Sequence, residues 1–504
     1  MRAILIVIDG FGIRKEKKFN AIAQARKPNY DLIFRKYPHT QLKASGKAVG
    51  LPDGEMGTSE VGHLHLGAGR IVWQPLEKIN NAIRDKSLFK NATLDSIVQN
   101  VKSKDSKIHL IGLCSDGGIH SSTMHLKALM EFFHKKGVGE KVIIHFISDG
   151  RDVAVKSAEK YAAQIEQWGK KYGGTIATIC GRFYAMDRDN NWDRTLAYYK
   201  LLTESLGGRA ESASEGIRKA YEGGTESDYY IKPAVVGNAK PIRDNDSVLV
   251  FNFRTDRARQ ITKAFVSSEF DRFERAIHPK TYWATFTEYD KTLNCPIIFE
   301  EEKVANNLGE TVSRAGLRQL RIAETDKYPH VTYFFNSQNE EPYKGEERIM
   351  VPSSKVPSYD QKPEMSADGI TASALSEIGK GIHDFILINF ANPDLVGHSA
   401  NHAAIITAVE KVDECIGKIY PEAMENNYAL IVTSDHGNAE ETAYPDGLPK
   451  ASHTTNPVPL ILVSEDRKLS RVKLRKGGLI DVAPTLLKIM GLPKPAEMKG
   501  KPLF

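Results

Sequence analysis

Cysteine is scarce: Cys114, Cys180, Cys295 and Cys415 are the only four in 504 residues, far apart and without a CxxC pair. That placement excludes a disulfide framework and a thiolate zinc module. It reads as free thiols in a reducing compartment, with Cys114 and Cys180, which end apolar runs, buried. Long apolar runs are missing too. Arg2 is followed by only six apolar residues, Ala3 to Ile8, before Asp9, too few for a signal peptide. No run approaches the roughly 20 residues that span a bilayer. A cytoplasmic protein without a membrane partner is expected. Charge of one sign is not in large excess either: 69 Lys+Arg against 63 Asp+Glu leave +6, and clusters such as Arg14-Lys15-Glu16-Lys17-Lys18 are broken by acid. This argues against a nucleic-acid partner and leaves room for a small anionic substrate.

What is present is a long chain of ordinary globular composition, 41% hydrophobic and 26% charged, too long for one core and expected to form two domains or three. Short apolar runs recur, and each ends in a polar cluster. Ala3–Ile8 runs into Asp9, Ile108–Leu113 into Cys114-Ser-Asp-Gly-Gly118, and Val142–Ile147 into Ser148-Asp-Gly-Arg-Asp152. Val248–Phe253 runs into Arg254, Phe385–Phe390 into Ala391-Asn-Pro-Asp394, and Leu430–Thr433 into Ser434-Asp-His-Gly437. Such runs predict strands buried on both faces, and the periodic residues Ile405, Val409, Val412, Ile416 and Ile419 predict a helix over 402–419. Strands alternating with helices predict an α/β protein with largely parallel sheets and ligands at the carboxyl ends of strands. Strand ends near both termini carry Asp and His, whereas those between about 108 and 257 carry Arg, Asp, Gly and His. The middle is therefore expected to be an inserted domain, 75–302, within a discontinuous one, 1–74 and 303–504. The polar stretch 336–369 reads as a surface loop.

Asp9, Asp394 with His398 four residues on, Asp435-His436 and His453 lie at or beside predicted strand ends in four separate segments. Each alone is more readily a cap, a turn former or a hydrogen-bonded structural residue. Together they supply three carboxylates and three imidazoles, enough for two divalent ions clamping an in-line displacement. Oxygen and nitrogen ligands without thiolate suit Mn²⁺ or Zn²⁺, and Mg²⁺ less well. In Gly57-Thr58-Ser59-Glu60-Val61-Gly62-His63, adjacent hydroxyls sit in a Gly-punctuated turn. Locally the plainer reading is a cap for a helix starting near residue 60. A hydroxyl beside a metal would instead be an activated nucleophile.

Asp9-Gly-Phe-Gly, Gly57-Thr-Ser-Glu-Val-Gly-His63, Asp394–His398, Asp435-His-Gly-Asn438 and His453-Thr-Thr-Asn-Pro457 resemble the metal and nucleophile motifs of 2,3-bisphosphoglycerate-independent phosphoglycerate mutases, and the resemblance runs nearly the whole chain. It implies an alkaline-phosphatase-like three-layer domain built from both chain ends, with a mostly parallel sheet, and an inserted α/β transferase domain. It also implies a phosphoserine intermediate and two divalent ions, Mn²⁺ first with Mg²⁺, Co²⁺ or Zn²⁺ as alternatives, with no bisphosphoglycerate required. One ion would be held by Asp394, His398 and His453, the other by Asp9, Asp435, His436 and the nucleophile Ser59. Substrate contacts are implied at His120, Arg151, Asp152, Arg182, Arg188, Arg254, Arg257 and Lys327. Lys327 reaches the transferring phosphate, and Asp152 handles the proton of a glycerate hydroxyl. The arginine fork suits a substrate carrying a phosphate and a carboxylate. The reaction implied is interconversion of 3- and 2-phosphoglycerate by a monomer that closes to exclude water. A metal-dependent phosphomonoesterase or another phosphomutase is the alternative. Thr58 and His65 stand where the family usually has Asn, and Val153-Ala154-Val155 lacks the family's prolines.

Overall fold

The computed structural model describes residues 1–238, 240–301 and 303–504. The chain divides into two compact units, Met1–Gln74 with Lys303–Phe504, and Pro75–Glu302.

The first unit is organised by the strand Arg2–Ile8. Its run of small and branched apolar residues suits a pleated surface covered on both faces. Ile4, Ile6 and Ile8 point into one core with helices Ala367–Lys380 and His402–Glu425. Ala3, Leu5 and Val7 point into another with helix Val482–Met490. Each such side chain contributes about 1.5–3 kcal/mol on full burial. In the eight-stranded sheet, Gln319–Glu324, Phe385–Phe390, Arg2–Ile8 and Tyr428–Thr433 are parallel neighbours. Val458–Val463 follows them antiparallel. The carboxyl ends of the four parallel strands and the amino end of Val458–Val463 therefore meet on one edge of the sheet. The long helix His402–Glu425 begins where the Asn401 side chain accepts from the Ala404 N–H and buries Ile405, Val409, Val412, Ile416 and Ile419. It runs further than the 402–419 read from periodicity, carrying Pro421 inside it.

The stretch 336–369 is not only loop. It holds the strand Glu346–Val351, which pairs in parallel with Gln319–Glu324 at the edge of the sheet. Two of its charged residues pair with each other: Glu346 accepts from Asn336 Nδ2 at 2.9 Å and from Arg348 Nε at 2.7 Å.

The second unit repeats the plan. In its seven-stranded sheet, Thr175–Gly181, Val142–Ser148, Ile108–Leu113 and Ser247–Val250 are parallel neighbours, so the segments that follow them emerge side by side. The sheet is α/β and mostly parallel, with apolar clusters on both faces. The strand read as Val248–Phe253 ends at Val250, and 251–253 continue as irregular chain. All four cysteines are free, and Cys114, Cys180 and Cys415 are buried. Among the described residues no helix is long and apolar enough to cross a membrane.

At the carboxyl end of Gln319–Glu324, Glu324 is fully buried, with Ser353 Oγ donating to Oε2 and no partner for Oε1 among the described residues. Burial foremost, with Asp326 adding to it, raises its carboxyl to about 7. A carboxyl raised on folding destabilises the protein as pH climbs from the unfolded value toward the folded one. Glu324→Gln should therefore stabilise the protein at pH 8 by roughly 3 kcal/mol and much less at pH 5. Thermal unfolding of both proteins at the two pH values measures this, and an equal shift at both would contradict it.

Candidate active site

The edge of the first sheet gathers residues that lie far apart in sequence. Asp9 directly follows the central strand, and Asp394 sits in the short helix Asn392–Gly397 after Phe385–Phe390, with His398 at its end. Asp435 and His436 follow Tyr428–Thr433, and His453 precedes Val458–Val463. Lys327 follows Gln319–Glu324. Ser59 is the first residue of helix Ser59–Ala68. Thr58 is its cap, with Oγ1 accepting from the Val61 N–H, so capping falls to Thr58 and leaves the Ser59 hydroxyl free for the cluster.

Ser59 Oγ lies 3.0 Å from Asp9 Oδ1, 3.0 Å from His436 Nε2 and 2.6 Å from Lys327 Nζ. Lys327 also donates to Asp9 Oδ1 at 2.9 Å and to Asp394 Oδ2 at 2.7 Å. Asp9, Asp394, Asp435 and His436 are buried. Burial is the largest influence and opposes charge on Asp9 and Asp394, yet Lys327 foremost, with His436 adding to it, holds both carboxyls well below the usual range. Burial likewise opposes charge on His436, but Asp435, Asp394 and Asp9 raise its imidazole to about 10.

The arrangement fits cations. Each histidine donates Nδ1–H to a backbone carbonyl: His398 to Ala451 at 2.8 Å, His453 to Gly57 at 2.8 Å and His436 to Gly437 at 3.3 Å. That fixes the tautomer and turns every Nε2 inward as a ligand atom. His398 Nε2 and His453 Nε2 face each other at 3.2 Å, and Asp394 Oδ1 lies 3.5 and 3.1 Å from them. Two imidazole nitrogens and a carboxylate oxygen so close together form a group of ligand atoms suited to a positive ion. Two ligand groups result, Asp394 with His436 and His453, and Asp9 with Asp435 and His436, each with its atoms within 4.8 Å. His398 joins the first through its contacts to His453 and Asp394.

His65 is structural. Its Nδ1 donates to Val61 O and its Nε2 accepts from Val72 N–H at 3.0 Å, pinning the helix to the turn after it. Two residues given no role in the sequence reading, Asn389 and the His63 that closes the Gly57–His63 motif, stand behind the cluster. Asn389 Nδ2 donates to Asp9 Oδ2 at 2.9 Å and to His63 Nε2 at 3.1 Å, while His63 Nδ1 donates to Ser59 O at 2.8 Å. The signal available was position: Asn389 interrupts an apolar strand one residue before its end.

The second unit holds the arginines at its own sheet edge. Arg182 is buried, and its Nη1 donates to Asp149 Oδ1 at 2.6 Å and to Asp152 Oδ2 at 2.7 Å. Asp149 also accepts from Ser115 Oγ and from the backbone N–H groups of Arg151 and Asp152. Burial works against its charge, but the Asp152 N–H, Ser115 and Arg182 keep its carboxyl below the usual range. Asp256, a residue not singled out in the sequence, pairs with Arg188 at 2.8 Å and Arg254 at 3.2 Å. His120 stands 3.9 Å from Asp152 and 3.8 Å from Asp256, and is pushed down to about 4 by burial and then by Arg182. Arg257 is buried and donates to Met186 O at 3.0 Å. Arg151 is exposed beside Asp152.

A buried hydroxyl among inward-facing carboxylates and imidazoles defines a metal-dependent enzyme, and the Metalloenzyme superfamily matches residues 1–494. The 2,3-bisphosphoglycerate-independent phosphoglycerate mutase of Moorella thermoacetica is 50% identical over 507 residues, covering 99% of this chain and 98% of the relative. That of Clostridium botulinum is 48% identical over 508 residues, covering 99% of each. The solved phosphoglycerate mutase of Leishmania mexicana, determined at low cobalt concentration, superposes with a TM-score of 0.61 at 31% identity, covering 100% of this chain and 97% of that one. The chain belongs to the family of 2,3-bisphosphoglycerate-independent phosphoglycerate mutases, enzymes that rely on divalent metal ions.

Because Asp149 is one of two carboxylates that pair with the buried Arg182 among the described residues, Asp149→Ala leaves a guanidinium short of a counter-charge. It should cost about 3 kcal/mol or more, read as a fall in the denaturant midpoint of the full chain. An unchanged midpoint would contradict it.

Proposed function

We propose that the chain interconverts 3-phosphoglycerate and 2-phosphoglycerate through a phosphoserine at Ser59. The observation that carries this reading is the convergence of Asp9, His436 and Lys327 on one serine hydroxyl, none farther than 3.0 Å.

In this reading Asp394, His398 and His453 hold one divalent ion, and Asp9, Asp435, His436 and Ser59 the other. Bound there, the ions, Mn²⁺ by preference, would lower the pKa of the serine hydroxyl and offset charge on the phosphoryl oxygens. Ser59 Oγ, its proton passed to solvent, attacks phosphorus as the bond to the glycerate 3-oxygen breaks, and that oxygen takes up a proton from solvent. Lys327, held by Asp9 and Asp394, presents its ammonium to the oxygens of the transferring group. The second unit is the substrate-binding domain. Arg151, Arg182, Arg188, Arg254 and Arg257 grip the carboxylate and phosphate, with neutral His120 beside them. Asp152 receives the proton of the 2-hydroxyl as that oxygen attacks the phosphoserine, so the glycerate takes up one proton and gives one back per turnover. A simple phosphomonoesterase has no need to retain an alcohol, and the five arginines speak against that rival. The reading includes a monomer in the cytoplasm, with its cysteines free.

A coupled assay on 3-phosphoglycerate without added bisphosphoglycerate should show turnover that EDTA abolishes and Mn²⁺ restores. Ser59→Ala should remove at least 10⁴-fold of kcat, while Thr58→Ala keeps both activity and an acid-quenched phosphopeptide spanning residue 59. Release of inorganic phosphate in place of 2-phosphoglycerate would favour the phosphatase instead. His436, raised to about 10, carries a proton in the metal-free protein at neutral pH and must lose it to bind. Mn²⁺ affinity should therefore rise between pH 6.5 and 8.5, by up to about tenfold per pH unit for one proton released. A flat titration would count against His436 as a ligand.

A further inference from the structure

Beyond the ligand atoms, one buried carboxylate touches three of the loops that carry them. Glu440 lies five residues after Asp435 and is fully buried. Its Oε2 accepts the backbone N–H of Gly12 at 2.9 Å and the backbone N–H of Asn438 at 2.9 Å. Its Oε1 accepts the Thr454 hydroxyl, and Asn456 Nδ2 at 3.0 Å. All four are neutral donors, so the group is not half of an ion pair. It is a charged acceptor saturated by the chain around it, which gives strong and directional bonds in a low-dielectric interior.

What these donors belong to decides the meaning. Gly12 lies three residues beyond Asp9. Asn438 lies two beyond His436, and its Nδ2 donates to Asp394 Oδ1 at 2.9 Å. Thr454 adjoins His453, and its backbone N–H donates to Gly437 O at 2.9 Å. The close fit is built in by glycine: a Cβ on Gly12 would run into the Glu440 carboxyl, and one on Gly437 would meet both Glu440 Oε1 and Thr454 Oγ1.

We propose that Glu440 is a positioning residue for the metal centre, a single carboxylate that fastens the loops of Asp9, Asp435–His436 and His453 at the spacing both ligand groups require. The proposal rests on the metal-site reading above. Glu440 touches no substrate and is not itself a ligand. Its effect is on how far the carboxylates and imidazoles must rearrange to meet their ions, and an outer partner of this kind is typically worth 10–100-fold in metal affinity.

The test is Mn²⁺ titration of the full chain after metal stripping, followed by the EPR signal of free Mn²⁺, with thermal unfolding of the metal-free proteins alongside. Wild type should take up two ions. A wild-type chain that takes up none would sink the metal-site reading and this proposal with it, independently of any variant. Glu440→Ala should bind Mn²⁺ at least tenfold more weakly while still folded. Glu440→Gln should stay within about threefold of wild type, because its oxygen can keep the two backbone N–H groups while Thr454 and Asn456 turn acceptors toward its amide. Gly12→Ala displaces the carboxyl without removing it and should weaken binding as Glu440→Ala does, so it decides the question if Glu440→Ala does not fold. Wild-type Mn²⁺ affinity in folded Glu440→Ala, or in Gly12→Ala, would show that the carboxylate serves only stability and would overturn the proposal.

Discussion

Three carboxylates, Asp9, Asp394 and Asp435, are brought together out of water at one edge of a sheet, and like charges buried so close repel strongly. Everything nearby answers that repulsion. Lys327 places an ammonium between Asp9 and Asp394, and His436 holds a second positive charge against all three acids. The backbone carbonyls of Ala451, Gly57 and Gly437 each take an Nδ1 proton, so the imidazoles turn their remaining nitrogens to the same point. A centre that stores repulsion in this way has a steep affinity for further positive charge, and a serine hydroxyl set in its midst shares that field.

The sheet makes the crowding unavoidable. Arg2–Ile8 lies between Phe385–Phe390 and Tyr428–Thr433, in parallel with both, so residues more than 370 positions apart must finish at the same height. Both flanking strands are fully buried and almost wholly apolar, and slipping the register by one residue would turn each core side chain to the wrong face. Packing thus sets the position of the acids, and the acids have no local means to escape it. The second unit uses the same logic with the sign reversed. There a buried guanidinium, Arg182, is held by Asp149 and Asp152, and Asp149 also ties down the backbone that presents Arg151 and Asp152.

Asp9, Asp394, Asp435-His436 and His453 stood out in the sequence because each ends or borders an apolar run, where a polar residue is conspicuous, whereas the arginine contacts came from the family resemblance. Most strands follow the expected runs for the same reason, since six or so consecutive apolar residues leave little choice, and Val248–Phe253 is the one that stops early, at Val250. What escaped notice follows a different rule. Glu346–Val351 is an edge strand whose Glu346 and Arg348 satisfy each other, so its composition imitates a loop. Asp149 lies in the Ser148–Asp152 cluster and Asp256 between Arg254 and Arg257, yet their role is to hold arginines, which only distances reveal. Glu440 fell just past the end of a recognised motif, and its partners at Gly12, Thr454 and Asn456 have no sequence relation to it. The sequence offered a cap at Thr58 or Ser59 and a structural part for His65, without saying which hydroxyl caps or what His65 holds. Thr58 is the N-cap and His65 a latch between a helix and its exit turn, and both follow from hydrogen bonds to the backbone.

The central place of Arg2–Ile8 also has a bearing on how the chain is made. Ala3 pairs with Phe385 and with Ala429. At translation rates of about 5–20 residues per second, this apolar strand waits roughly 20–80 s between its own synthesis and that of its partners. In that interval the middle segment can complete its own core, because its strands find neighbours within 75–302. The amino-terminal strand meanwhile remains a sticky, unpaired ribbon on the ribosome. Sheltering it, by a chaperone or by provisional packing against Tyr30 and Ile33 of the helix Pro28–Lys36, is a demand that the finished enzyme no longer shows.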